Sequence, residues 1–332
     1  MWRRPGILAR FARYIGHDHE VIVDARALNV PALAARHESV DVRLPGLRMG
    51  LYRGRNVASD FTLLERAMPF VGRIQRSTLT IVFQGFGRFD ERGRQAWLRE
   101  GDLVVSHSRH AGTEAYAGAS TTTLAIDWEP DAVGVPVHGP FAIERLSARD
   151  VARMHEAALR LASPEPERAV LDLLEQLRAI GLPFAPIEPR ADGVLSLLQS
   201  ALSKRLTKLD QHPDIEDVAT DLGWNRRLVH RRMQAMAEKY GSARPHWREA
   251  LHSARLLQAM RLLAAPGATT ELVAKLCGFR SPGALCHAFA EASWPSPGAM
   301  ARAARDEAIS SWTAFVSRKN NRALEIAVPA SP

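Results

Sequence analysis

The spacing of apolar residues predicts strands in the first half of the chain and helices in the second half. In the first half, short runs of β-branched and apolar residues alternate with glycine-containing turns, as in β-sandwiches and barrels. Gly85 and Gly87 are predicted to close the first strand, and Gly101 provides a turn signal before the third. The predicted strands cover residues 77–83, 95–99, 103–106 and 121–126.

From about Ser147 the apolar period becomes helical. Two amphipathic segments, 151–161 and 170–177, are separated by Ser163-Pro-Glu-Pro166, which interrupts a helix. These helices either dimerise the chain or close the barrel that precedes them. Residues 181–189 are proline-rich and predict a linker, after which the pattern stays helical to about residue 304. We therefore predict a multi-domain chain with four parts: an N-terminal mainly-β domain at 1–146, a helical connector and linker at 147–190, an all-α domain at 191–304 and a tail at 305–332.

A helix-turn-helix pattern spans Pro213 to Tyr240. Asp214 can cap a first helix whose apolar positions recur at helical spacing, with the small residue Ala219 where two helices would cross. Gly223 suits the left-handed residue that ends such a helix, and Asn225 can cap the next one. The second helix would expose basic and amide side chains suited to base edges and phosphates, namely Asn225, Arg226, Arg227, His230, Arg231 and Gln234.

The same spacing returns 55 residues later, where Ala274 and Gly278-Phe279 repeat Ala219 and Gly223-Trp224. Thr269 or Thr270 can cap the first helix of this second motif. Ser281 can cap its second helix, with Pro282 at the first helical position. This helix offers few base-reading groups, so we expect Arg280, Ser281 and His287 mainly to position the domain on the DNA backbone.

The net positive charge of the chain favours a negatively charged binding partner. The chain carries 44 Lys and Arg against 36 Asp and Glu, a net charge of +8, and its pI is about 10. Residues 191–302 hold 15 basic and 10 acidic side chains. Only two cysteines are present, Cys277 and Cys286, which exclude a disulfide scaffold and fit a reducing cytoplasm. No apolar run is long enough to cross a bilayer, so no membrane association is expected.

Two such motifs joined by one long helix resemble the AraC family of bacterial transcription regulators. The resemblance covers about residues 194–302 and is carried by the order and spacing of several elements together: Ala219-x3-Gly223, Leu251-x3-Arg255, Leu262-Leu263, Ala274-x3-Gly278-Phe279, Phe289 and Pro297. The sequence departs from the family pattern near its end, where Trp294 replaces the usual glycine and Ser293 the usual aromatic residue.

The resemblance implies a seven-helix domain that places two recognition helices in successive major-groove segments of double-stranded DNA, roughly 10 base pairs apart. It gives a structural role to Ala219, Gly223, Ala274, Gly278, Phe279 and Pro297, and also to Arg255. Family members often carry a cupin-like N-terminal sensing or dimerising domain, and residues 98–105 resemble a turn and strand of such barrels. The expected protein is a cytoplasmic homodimer with no cofactor and no enzymatic activity. RNA polymerase and a small-molecule effector of unknown identity are its candidate partners.

Two other functions remain open at this point. A metal-dependent cupin enzyme would need converging ligands, for which His107, His110 and Glu114 are the candidates. Arg109 occupies the place of a second histidine, however, so we expect no metal. His17 and His19 are expected at the surface. The weak second recognition helix motivates the other alternative, a DNA-binding protein of low specificity.

Overall fold

The computed structural model of the chain describes residues 20–57, 77–91, 94–106, 111–115, 120–128, 142–182, 184, 189–240 and 246–306. Its first half is built from strands, as the sequence predicts. They are β1 (Glu20–Val30), β2 (Ala35–Leu44), β3 (Leu47–Arg55), β4 (Ser77–Gln84), β5 (Phe86–Glu91), β6 (Arg94–Arg99), β7 (Asp102–Ser106), β8 (Ala111–Ala115), β9 (Ser120–Trp128), β10 (Ala142–Arg145) and β11 (Arg190–Ala191).

Among the described residues, eight strands form one sheet in the order β10-β7-β4-β9-β3-β2-β1-β11, and β6-β5-β8 form a second sheet. All pairings are antiparallel except that of β1 with β11. A small apolar cluster of Val82, Phe89, Leu98 and Val104 joins strands of the two sheets. This is the mainly-β N-terminal domain predicted from the sequence.

The four predicted strand segments are confirmed as β4, β6, β7 and β9. Gly85 ends β4 with a positive φ of 82°, a conformation that glycine adopts without steric cost. The prediction that Gly87 also closes this strand is wrong, because Gly87 lies inside β5 and pairs with Leu98. Strands β1 to β3 were not anticipated.

One face of the large sheet is apolar and is covered by two helices, α1 (Ala148–Leu159) and α2 (Pro166–Ala179). Ser147 caps α1 by accepting a hydrogen bond from the Asp150 amide at 3.1 Å. Proline at the first position of α2 is preorganised for a helix start. Leu182 and Phe184 extend this core, and Phe184 meets the indole of Trp128 edge-on at 5.4 Å.

The second half is helical: α3 (Gly193–Leu206), α4 (Ile215–Leu222), α5 (Arg226–Tyr240), α6 (Trp247–Leu263), α7 (Thr270–Leu276), α8 (Pro282–Glu291) and a further helical stretch at 297–306. The long helix α6 contributes to two apolar clusters. Trp247 and Ala254 pack with α3 to α5, whereas Leu256 and Leu263 pack with α7 and α8. The predicted all-α domain with two helix-turn-helix motifs is confirmed.

The two halves share their cores. Val30, Leu33, Ala35 and Val57 belong to the same buried cluster as Leu256 and Met260 of α6. Ile22 of β1 packs with the cluster around α3, and the Asp192 amide donates to the Val21 carbonyl at 3.1 Å. Within the described part of the chain, no helix is both long and apolar enough to cross a membrane.

Candidate nucleic-acid interface

Capping groups and backbone hydrogen bonds define the helix ends and the turn of the first helix-turn-helix motif. Asp214 and Asp217 form a capping box at the start of α4, with the Asp214 amide donating to Asp217 at 2.8 Å. Gly223 ends α4 in the left-handed region at a φ of 65°, and the Trp224 amide donates to the Ala219 carbonyl at 2.9 Å. Asn225 then caps α5 by accepting from the Leu228 amide at 2.9 Å.

Helix α5 buries one face and exposes the opposite one. Val229, Met233, Met236 and Tyr240 are buried against α3 and α4. Because a helix turns once every 3.6 residues, Arg227, Arg231 and Gln234 lie on the face opposite to these residues. All three are exposed, as are Asn225 and Arg226 in the first turn. The helix thus presents guanidinium and amide groups that can bind guanine or adenine edges.

Acidic side chains of α4 form ion pairs with basic groups on neighbouring helices. Asp221 is bound by Arg205 at 2.7 Å and by Lys204 at 3.2 Å. Arg226 lies 3.8 Å from Glu216, but both side chains are exposed, so water weakens this pair. Partial burial, then the charge of Arg226, lowers the pKa of His230 below its usual range. His230 is therefore a neutral hydrogen-bonding group at physiological pH.

The second motif repeats the local geometry of the first. Thr269, not Thr270, caps α7 by accepting from the Leu272 amide at 3.1 Å. Gly278 has a φ of 70°, and the Phe279 amide donates to the Ala274 carbonyl at 2.9 Å. Ser281 caps α8 by accepting from the Ala284 amide at 3.1 Å.

Helix α8 presents little that could read a base. Its buried residues are Leu285, Ala288 and Phe289, and its exposed side carries Cys286 and His287. His287 Nδ1 lies 3.4 Å from Glu291, a further acidic group on this helix. Arg280 and Ser281 are exposed where the turn enters the helix. The two motifs are alike in backbone and differ in the chemistry that they expose.

Several of the residues assigned a structural role are buried in this domain, whereas Gly223 is exposed at its turn. Ala219 and Ala274 are buried, Gly278 is buried at the turn, and Pro297 is buried at the start of the last helical stretch. Arg255 lies against the second turn: its Nε would be 3.5 Å from a Cβ added to Gly278.

The residues considered for a metal lie largely outside the described residues. These are His107 and His110, together with the side chain of Glu114. His17 and His19 and most of the predicted tail also lie outside them. Among the residues that are described, no group of three His, Cys, Asp or Glu side chains could hold a metal ion.

A polar layer in the N-terminal half was not anticipated from the sequence. Arg48 contacts Asp41 at 2.7 Å and Asp127 at 3.1 Å, and the Tyr52 hydroxyl donates to Asp41 at 2.6 Å. Its members lie on three strands, and the contact between Arg48 and Asp127 joins residues that are 79 positions apart in the chain. No local sequence pattern marks such a cluster, because each strand contributes only one or two charges.

The chain is similar to several solved structures at low identity. ToxT from Vibrio cholerae matches at 11% identity and a TM-score of 0.34, over 77% of this chain and 98% of ToxT. The AraC-like transcriptional activator CuxR matches at 10% identity and a TM-score of 0.31, over 74% of this chain and 97% of CuxR. KdgF from a Halomonas species matches 28% of this chain and 78% of its own, at 13% identity and a TM-score of 0.22.

No family model and no curated protein matches the sequence. Similarities of the size given above carry no functional inference by themselves. What the chain itself displays is an N-terminal β domain followed by a helical domain with two helix-turn-helix motifs. That is the architecture implied by its resemblance to AraC-family transcription regulators.

Proposed function

We propose that the protein is a sequence-specific, DNA-binding transcription regulator. The observation that carries this proposal is the exposed face of α5, where Arg227, Arg231 and Gln234 stand opposite the buried side of a capped helix-turn-helix motif. A helix held in this way can enter the major groove with its N-terminal half against the bases. The basic balance of the whole chain adds attraction to phosphates.

Binding to fragments of the protein's own upstream region, titrated with salt against random DNA, tests the proposal. We expect one fragment to bind more tightly than random DNA at every salt concentration, with a footprint that covers two adjacent major-groove segments. Arg227→Ala or Arg231→Ala should lower affinity for that fragment by about 1–3 kcal/mol, roughly 5- to 150-fold, if the residue reads a base. An equal loss of affinity for random DNA would indicate that the residue contacts a phosphate and not a base.

Arg153→Ala is the matched control, because Arg153 is exposed on α1, in the connector outside the DNA-binding domain. It removes the same charge from the chain and should leave affinity nearly unchanged. If all fragments bind like random DNA, the sequence-specific function is wrong and the low-specificity alternative replaces it.

In this proposal the two recognition helices make different kinds of contact with DNA. Helix α5 supplies the direct readout, while Arg280, Ser281 and His287 at the second motif hold the DNA backbone. The scarcity of polar groups on the exposed side of α8 supports this division. Accordingly, His287→Ala should weaken specific and random DNA binding to the same small extent. Arg231→Ala should instead weaken binding to the specific fragment more than binding to random DNA.

We also propose that the active form is a homodimer and that the N-terminal domain (1–146) senses a small molecule, with RNA polymerase as the partner at the promoter. Leu159 of α1 and Leu171 of α2 support dimerisation, because each leaves 39% of its surface exposed on the connector helices. Two linked DNA-binding domains would gain affinity at paired sites. Light scattering of the wild type and of the double variant Leu159→Glu/Leu171→Glu tests the dimer. The wild type should be dimeric and the double variant monomeric.

A further inference from the structure

The polar side chains of α5 are not equivalent, because those at the two ends of the helix already have partners in the protein. The Asn225 side chain caps the helix, and Arg226 lies 3.8 Å from Glu216. In the last turn, Lys239 forms an ion pair with Glu20 of β1, which attaches this end of the helix to the β domain. The side chains between these two ends are the ones left for contacts with bases.

Three exposed side chains between the two ends share one side of the helix. Among the described residues, Arg227, Arg231 and Gln234 have neither a hydrogen bond nor an ion pair with another side chain. At about 100° per residue, they lie within about 60° of one another around the helix axis. Glu238 follows on the same side one turn later and is also exposed. Its negative charge is repelled by phosphates, so the surface suited to DNA ends at Gln234.

The spacing of these three side chains matches successive base pairs. Arg227, Arg231 and Gln234 follow one another at intervals of about one helical turn, and zinc-finger helices contact three successive bases with side chains spaced in a similar way. From Arg227 to Gln234 the helix rises about 10 Å, against about 3.4 Å for one base-pair step. The three side chains can therefore reach three neighbouring base pairs within one major-groove segment.

The chemistry of each side chain selects a different base edge. A guanidinium group donates two parallel hydrogen bonds to O6 and N7 of guanine, whereas a side-chain amide donates to N7 of adenine and accepts from N6. A guanidinium group fits adenine less well, because N6 of adenine is itself a donor. Arg227 and Arg231 therefore favour G·C pairs, and Gln234 favours an A·T pair.

We infer that α5 reads three successive base pairs: two G·C pairs through Arg227 and Arg231, and an adjoining A·T pair through Gln234. The pair contacted by Arg231 is the central one, because Arg231 lies between the other two residues on the helix. This inference rests on the proposed function and deepens it, since it names the base pairs that the first motif selects. The second motif adds little to this selection, because α8 exposes few polar groups.

Selection of tight-binding duplexes from a pool of random DNA by the full chain tests the inference. We expect the enriched sequences to share two adjacent G·C pairs followed by an A·T pair. Replacing either guanine of this triplet by 7-deazaguanine keeps the base pairing and removes the N7 acceptor, so it should weaken binding at least about tenfold. The same replacement at a guanine outside the triplet should leave affinity nearly unchanged.

Variants of α5 connect each arginine to its own base. Arg231→Ala should abolish the effect of 7-deazaguanine at the central pair and preserve it at the outer G·C pair, and Arg227→Ala should do the opposite. Arg231→Lys keeps a donor for guanine and should restore part of the effect at the central pair. Arg232→Ala is the matched control: Arg232 is exposed on the same helix but lies about 100° away from Arg231, so both effects should persist.

The possible outcomes separate this inference from the proposed function. If no sequence is enriched over random DNA, sequence-specific binding itself is wrong. If sequences are enriched without two adjacent G·C pairs, only the assignment of bases to α5 is wrong. The assignment is also wrong if 7-deazaguanine weakens binding equally in the wild type, Arg227→Ala and Arg231→Ala. Because the substituted side chains are exposed, these variants should fold like the wild type.

Discussion

Ser293 adopts a backbone conformation that favours glycine. It lies in the turn after α8 with a φ of 56°, beside Trp294, whose indole meets Phe289 edge-on at 5.1 Å. A side chain with a Cβ is strained in this left-handed region. We therefore predict that Ser293→Gly stabilises the protein by roughly 0.5–1 kcal/mol in urea unfolding. Ala292→Gly is the control: Ala292 has a φ of −75°, so added flexibility there should destabilise instead.

His37 should make stability depend on pH. Burial and the nearby guanidinium groups of Arg261 and Arg26 lower its pKa in the folded state well below 6.5, while the unfolded state keeps an ordinary pKa. As pH falls below about 6.5, the unfolded state takes up a proton that the folded state refuses, so stability decreases. His37→Gln should reduce this decrease between pH 7 and 5, measured by urea unfolding at each pH. An unchanged pH profile in His37→Gln would contradict this account.

At the scale of elements, the two turns of the helix-turn-helix motifs look alike but tolerate side chains differently. Gly223 and Gly278 both have φ near +70°. A Cβ on Gly223 would meet nothing within 4 Å, whereas one on Gly278 would collide with the backbone carbonyl of Leu209. Gly223→Ala should thus cost about 1 kcal/mol from backbone strain alone, and Gly278→Ala about 3 kcal/mol or more from strain and overpacking. Equal losses in urea unfolding would show that the contact with Leu209 is unimportant.

Helical elements could be predicted from the sequence because their signals are local. The capping residues Asp214, Asn225 and Ser281 and the terminating Gly223 all lie within a few residues of the helix they define. The exposed face of α5 follows from the same periodicity that buries Val229 and Met233. The candidate DNA-contacting residues of α5 could thus be chosen before the fold was known, although their roles remain a proposal.

Strands β1 to β3 could not be recognised in the same way. The hydrophobic alternation of β2 is obscured, because the face it buries carries His37, Ser39 and Asp41. Of these, Asp41 is buried next to a charged partner from another strand, Arg48 on β3. The local sequence of β2 looks like a polar, charged segment. The reason why its polar side chains can be buried becomes visible only in the assembled sheet.

At the scale of the whole molecule, the β domain and the helical domain support each other through common apolar clusters. Leu33 follows β1, yet it is buried with Leu256 and Met260 of α6 rather than with the core of its own sheet. The end of α5 is also attached to the first strand, since Lys239 forms an ion pair with Glu20, and the Tyr240 hydroxyl donates to Asp192 at 3.2 Å. A change on the N-terminal side therefore has a direct route to both helix-turn-helix motifs.

This coupling predicts that a substitution in the N-terminal half loosens the helical half. Leu33→Ala should cost about 2–5 kcal/mol, because both its transfer energy and a cavity are lost, and it should speed hydrogen exchange in α6. Leu103→Ala is the matched control: Leu33 and Leu103 are both 3% exposed, but Leu103 packs with the sheet core under α1 and α2. It should cost as much in the β domain while leaving exchange in α6 nearly unchanged. If both substitutions speed hydrogen exchange in α6 equally, the molecule unfolds as one unit. If neither does, the shared apolar cluster does not couple the stability of the two halves.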